Sequence, residues 1–140
     1  MERFGVGGNT HGFKLLVEPA SDVPGSWLAH ILDIDVVTYG GGFREAMDLG
    51  LEAAALVVSD DLANGLNPLD RARAPIEVYR RVARIMESQC PPMTVEEIEA
   101  RIAAGDQIAA LFLVRVDVGR TMHHDSRLVG QPAPLDHLAA

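Results

Sequence analysis

Four side chains in the first quarter of the chain are of the types that bind a divalent metal ion: Glu18, His30, Asp33 and Asp35. Asp33 and Asp35 stand two positions apart, so they would point to one face if a strand ran through both. Such carboxylates coordinate Mg²⁺ in nucleases and other hydrolases. Alternatively, the aspartates are solvated residues at a strand end and His30 is an ordinary surface or core histidine. No further helical acids follow at a spacing that completes a metal centre, so we predict no metal and no catalytic residue.

A glycine-rich stretch at residues 38–54, TYGGGFREAMDLGLEAA, is the second candidate. A glycine loop that enters a helix can hold a phosphate group against the unpaired N–H groups of the first helical turn. A Walker loop requires a Lys followed by Ser or Thr, however, and these residues are missing, while Glu45 would repel phosphate. We therefore predict a strand-to-helix turn in which glycine supplies positive φ and permits close packing.

Three further motifs predict no chemistry. The segment GVGGNTHG (5–12) has no preceding strand, which a nucleotide loop requires. The run His123-His124-Asp125 consists of adjacent residues, whose side chains diverge too far for a designed metal site. Cys90 is the single cysteine and precedes two prolines, so neither a disulfide nor a nucleophile elbow is expected. We predict no cofactor.

Basic side chains are concentrated in residues 71–84, RARAPIEVYRRVAR, which hold five arginines and one glutamate in a chain of net charge −8. The simplest interpretation is a solvated helix face with intrahelical ion pairs. The alternative is a contact surface for nucleic acid or for an acidic neighbouring subunit. The overall negative charge repels nucleic acid and favours a basic protein partner.

Length and composition predict one folded domain. The chain has 140 residues, of which 48% are hydrophobic and 23% charged. No apolar run approaches the roughly 18 to 20 residues of a membrane helix, and the amino terminus lacks a signal-peptide core, so we expect a cytoplasmic protein without a membrane segment.

The apolar periodicity predicts an α+β fold. Alternating residues indicate strands at 13–19, 26–34 and 36–39, whose short links require an antiparallel meander. Helical spacing predicts a helix at 43–63 that ends at Asn64-Gly65, and a second at 75–89. Thr94 and Glu97 have the spacing of a capping box for a short third helix, and 108–118 is a late fourth strand.

These elements form a single domain, 1–140, with a core at 13–118, an inserted helical segment at 64–92 and flexible arms at 1–12 and 119–140. We expect the first helix on one face of the sheet and the inserted helix at its margin or at an interface. Because both faces of the second strand are apolar, a homo-oligomer, most simply a twofold dimer, would bury the other sheet face.

This order of elements resembles the HicB-like antitoxin family, with a β-β-β-α-β core. The matching residues are FKLLVEP, SWLAHILDIDVVTYG, the helix residues Phe43-Arg44-Glu45-Ala46 with Glu52-Ala53, and PPMTVEEIEARIAAGDQIAALFLVRVDV. The resemblance covers residues 13–59 and 91–118. The carboxy-terminal DNA-binding module of the family has no counterpart, because only 22 residues follow Val118, with Pro132 and Pro134 among them.

The resemblance implies a non-enzymatic antitoxin that binds and neutralises a small basic ribonuclease toxin, without direct DNA binding by the usual module. Two alternatives stay open: a stand-alone HicB-like oligomeric regulatory or structural protein without a toxin, and a metal-dependent nuclease or hydrolase using the strand carboxylates. The predicted partner contacts are Trp27, His30, Tyr39, Arg80, Arg81 and Arg84.

Overall fold

The computed structural model of the chain describes residues 10–117 and 128–138. These residues form a six-stranded antiparallel sheet with helices on both faces, which confirms the α+β class. The strands are β1 (Thr10–Pro19), β2 (Trp27–Ile31), β3 (Val36–Gly40), β4 (Met93–Thr94), β5 (Ile108–Asp117) and β6 (Val129–Pro134). The helices are α1 (Phe43–Ala63), α2 (Ile76–Glu87), α3 (Val95–Ala103) and α4 (Leu135–Leu138), with a 3₁₀ turn at Pro68–Asp70.

The two ten-residue strands β1 and β5 pair at the centre of the sheet, whose order is β3-β2-β1-β5-β6-β4. Leu15 lies opposite Phe112, and Leu16 lies opposite Leu111. Because side chains alternate between faces, the first pair enters one core and the second pair enters the other. Residues 108–112 are buried on both faces, which explains the apolar start of the run at 108–118, whereas Leu113 further along β5 is 72% exposed.

The first sheet face is covered by α1 and α3. Helix α1 ends at Asn64-Gly65 as predicted, and Gly65 has a φ of +73°, which favours glycine. The predicted capping box at the start of α3 is confirmed: Thr94 Oγ1 accepts from the Glu97 N–H at 3.1 Å, and Glu97 accepts from the Thr94 N–H at 2.9 Å. No helix within residues 10–117 and 128–138 combines the length and apolarity needed to cross a membrane.

The second sheet face is covered by α2 and α4, which differs from the expectation that the inserted helix lies at a margin or an interface. The buried residues of this second core are Leu16, Leu32, Ala74, Ile85, Ala109, Leu111, Ala133 and Leu138. Ile85 is fully buried, and Val78 and Val82 on the same stripe of α2 pack beside it. The chain therefore buries most of this face itself, and the original reason for expecting an oligomer no longer applies.

Both predicted arms contain structure. Strand β1 begins at Thr10, inside the flexible arm predicted at 1–12. The arm predicted at 119–140 contains β6 and α4. Strand β6 accommodates Pro132 and Pro134 because they lie where β4 no longer pairs with it. Residues 1–9, 118–127 and 139–140, which include the His123-His124-Asp125 run, lie outside the described residues.

An ion pair between buried Asp61 and partly exposed Arg71 fixes the end of α1 against the connector that follows it. Asp61 is only 2% exposed and binds Arg71 twice, from Nε to Oδ2 at 2.6 Å and from Nη2 to Oδ1 at 2.9 Å. The hydrogen bonds from Arg71 hold the pKa of the Asp61 carboxyl below its ordinary value of 3.8. The paired carboxylate therefore stabilises the fold above pH 3.8, and this contribution disappears as the pH falls through the lowered pKa.

We expect Arg71→Met to lower the midpoint of urea denaturation strongly at pH 7, because a buried carboxylate loses its partner. The difference from wild type should shrink at pH 3, where Asp61 of the variant is protonated. Arg73→Met, an exposed arginine two positions away, is the matched control and should leave the midpoint nearly unchanged. An Arg71→Met effect of equal size at both pH values would contradict this account.

Candidate interaction surface

The strand carboxylates do not form a metal centre. Strand β2 ends at Ile31, so Asp33 and Asp35 lie in the turn before β3 instead of on one strand face. Asp33 accepts a 2.9 Å hydrogen bond from the Lys14 backbone N–H, and Asp35 lies 2.7 Å from His30 Nε2. The two acids thus have different partners. Among the described residues, no group of three or more His, Cys, Asp or Glu side chains is arranged to hold a metal ion.

The glycine stretch is a close-packed turn between β3 and α1. A Cβ atom on Gly40 would lie 2.5 Å from the backbone nitrogen of Ala46, so no larger residue fits. The expectation that these glycines supply positive φ is wrong, because none of Gly40, Gly41 and Gly42 has a positive φ. Glu45 accepts a hydrogen bond from the Gly41 N–H. A carboxylate of the protein itself therefore lies at the start of α1, where a bound phosphate would have to approach.

Two of the predicted contact residues are largely used inside the fold. Trp27 is half-buried on the first sheet face, where its ring meets Phe43 edge-on with centroids 5.6 Å apart. His30 is on the opposite face and only 7% exposed, bound to Asp35. Their side chains therefore point away from each other and form no common surface.

The arginines of α2 are mainly structural. Arg81 forms an ion pair with Glu18 of β1 across a groove of about 410 Å³, and Arg84 Nη1 donates to the Leu138 carbonyl at 3.2 Å. Arg80 is exposed. Two of the three predicted α2 contacts thus hold this helix onto the sheet and α4, which leaves Arg80 as the outward-facing one.

Tyr39 of β3 is the predicted contact residue that the fold leaves accessible on the sheet. Its side chain is 42% exposed, and its hydroxyl donates to Asp22 Oδ2 at 3.0 Å. This hydrogen bond raises the pKa of the Tyr39 hydroxyl. Val37 projects from the same face of β3 and is 41% exposed.

A second accessible surface lies on the outer side of α1. Leu49 and Leu56, seven positions apart, are 39% and 71% exposed. Glu45, Glu52 and Asp60 are exposed on the same side of the helix, at three- and four-residue spacing from the leucines. We call these five residues the acidic ridge. The seven-residue repeat of the leucines was the signal that the sequence analysis missed.

The charged residues of α1 are mostly acidic, including those at its carboxyl end. The last turn contains no basic residue, although Asp60 lies there, where the negative end of the helix dipole disfavours a carboxylate. Arg44, the one basic residue of the helix, is engaged with Glu99 of α3. The acidic ridge itself therefore carries three carboxylates and no basic residue, and Arg71, bound to Asp61, is a cation near its carboxyl end.

Comparisons of the chain with protein-family models, with curated proteins and with solved structures find no match. The resemblance to HicB-like antitoxins stays a prediction from the order of the elements.

Gly40→Ala should destabilise the protein by about 1 to 3 kcal/mol, the range for overpacking, because the new methyl group meets the backbone of α1. The measurement is the free energy of unfolding in urea. Gly42→Ala is the matched control: nothing lies within 4 Å of its added Cβ and its backbone is extended. Equal losses in the two variants would show that close approach is not the constraint at Gly40.

Proposed function

We propose that this chain is a non-enzymatic interaction module that binds and neutralises a small basic protein, as HicB-type antitoxins neutralise a ribonuclease toxin. The observation that carries the proposal is the acidic ridge on α1. Along this ridge, two exposed leucines alternate with three carboxylates. The chain as a whole has a net charge of −8.

The chemistry of the ridge suits a basic protein surface. Leu56, at 71% exposure, can bury most of its side chain only against another molecule. Interfaces commonly place apolar anchors at the centre and charged groups at a solvated rim. The carboxylates accelerate association with a cationic partner, and this attraction weakens as salt is added.

We further propose that the module is a cytoplasmic homo-oligomer that does not contact DNA directly. Its negative charge opposes binding to phosphates, and Arg81 and Arg84 make contacts within the fold. A second candidate function is a stand-alone oligomeric regulatory or structural protein of the same fold, without a toxin. The open edge of β3 favours it, since that edge can be used without a basic partner.

The neighbouring gene tests the antitoxin proposal. We expect an adjacent reading frame for a basic protein of a size able to fold as one small domain, about 60 to 90 residues. The purified product should degrade RNA, and the chain should abolish this activity at equimolar concentration. If no basic reading frame is adjacent, or its product is not inhibited, the antitoxin proposal fails and the stand-alone function is favoured.

Charge reversal on the ridge tests where the partner binds. Glu52→Lys and Leu56→Ala should each weaken binding of that basic protein by about tenfold or more, measured by calorimetry, because one removes attraction and the other an apolar anchor. Glu87→Lys is the control. It makes the same charge change at an exposed residue of α2, on the opposite side of the sheet. Equal weakening by Glu52→Lys and Glu87→Lys would indicate a response to net charge without a specific site.

A further inference from the structure

The two edges of the sheet differ in how they are protected. Beyond the two residues that pair with β4, strand β6 presents Pro132 and Pro134, which lack the N–H that a new strand would need. The Pro132 carbonyl accepts from Ser88 Oγ at 3.2 Å, and Gln131 Nε2 donates to the Cys90 carbonyl at 2.7 Å. Prolines and a covering loop thus block this edge.

Strand β3, at the opposite edge, contains no proline, and no loop within residues 10–117 and 128–138 hydrogen-bonds to the outer side of its backbone. Its sequence, VVTYG, contains no proline and no charged residue, and four of its five residues are β-branched or aromatic. Natural proteins normally guard an edge strand with charges, prolines or bulges to prevent pairing with another chain. The edge at β3 is therefore available for pairing with another strand.

The register identifies the backbone groups that are available for pairing. The Leu32 N–H bonds the Lys14 carbonyl at 3.0 Å, so even-numbered residues of β2 turn their backbone groups toward β1 and odd-numbered ones toward β3. Ala29 faces Thr38, hence Thr38 is bonded to β2. Val37 and Tyr39 consequently direct their N–H and C=O groups outward, away from the sheet.

We propose that β3 is a homodimer interface, at which a second copy of this chain adds its own β3 antiparallel, with the twofold axis at Thr38. Val37 of each copy then lies opposite Tyr39 of the other, and every outward N–H and C=O group of these residues is paired. The proposal rests on the homo-oligomer proposed above and names its interface.

Neighbouring registers fit less well. Centring the axis on Val37 would require Asp35 to join the strand, although its φ is +52°. Centring it on Tyr39 would require the Gly41 N–H, which is already bonded to Glu45. The Thr38 register therefore uses only the open part of the edge. Asp35 and Gly41 mark the two ends of that open part.

A second copy also suits the side chains. The cross-strand pair of valine and tyrosine is a favourable aromatic and β-branched contact, and no charged side chain lies on either strand. Asp35 falls opposite Gly41 of the other copy, so no two carboxylates face each other directly across the ladder. Because β6 is blocked, pairing ends at two copies and forms no fibre.

Light scattering after size exclusion tests the dimer. The wild-type chain should show twice its 15.1 kDa mass at high concentration and should dissociate on dilution, as expected for a small interface. Val37→Pro removes an outward N–H from each copy and should give a monomer, whereas Val37→Thr keeps the N–H and should stay dimeric. A wild-type monomer at high concentration, or a folded dimer of Val37→Pro, overturns the proposal.

Disulfide trapping tests the register without relying on the proline variant. In a Cys90→Ser background, Val37→Cys and Tyr39→Cys chains should cross-link when mixed, because a directly opposed pair has a Cα separation of about 5.5 Å. Each variant alone should cross-link poorly, since its two cysteines lie about 8 to 9 Å apart along the ladder. Equal cross-linking in the single variants and the mixture would refute the Thr38 axis.

Salt separates this proposal from the one for the basic partner. Dimerisation brings two acidic chains together, so added NaCl should strengthen it or leave it unchanged, while NaCl should weaken binding at the acidic ridge. A wild-type chain that stays monomeric but binds the basic partner would refute only the β3 interface. A wild-type dimer that binds no basic protein would refute only the antitoxin proposal.

Discussion

The antiparallel pairing of β1 with β5 is the interaction on which the rest of the structure depends. It joins residues 10–17 to residues 110–117, from opposite parts of the chain, in the middle of the sheet. Both strands carry apolar side chains on both faces, as Leu15 and Leu16 show with exposures of 0% and 1%. A central ladder of this kind is stable only when both faces are covered.

That requirement accounts for the arrangement of the helices. Helices α1 and α3 bury the first face, and the arginine-bearing α2, with α4, buries the second. The side of α2 facing the sheet supplies Ile85, while Arg81 and Arg84 extend to groups at the border of that core. A basic segment that suggested a binding surface is thus mainly the cover of a hydrophobic core, with long side chains reaching polar partners.

The two surfaces proposed for binding differ in chemistry. The acidic ridge of α1 is charged, and salt screens its attraction for a basic protein. The edge of β3 is uncharged and directs backbone groups outward, which suits an identical strand. We therefore propose separate sites for self-association and for a basic partner.

The sequence by itself determined the features that depend on residues close together along the chain. The bounds of α1, the capping box at Thr94, the three-strand meander and the α+β class follow from periodicity and local hydrogen bonding. The acidic ridge was not among the predicted contacts, because a leucine such as Leu56 shows its exposure only once its neighbours are placed. Tertiary structure decided the pairing of β1 with β5, the strand at 129–134, the covering role of α2 and which edge stays open, since each is a contact between distant segments that no local pattern specifies.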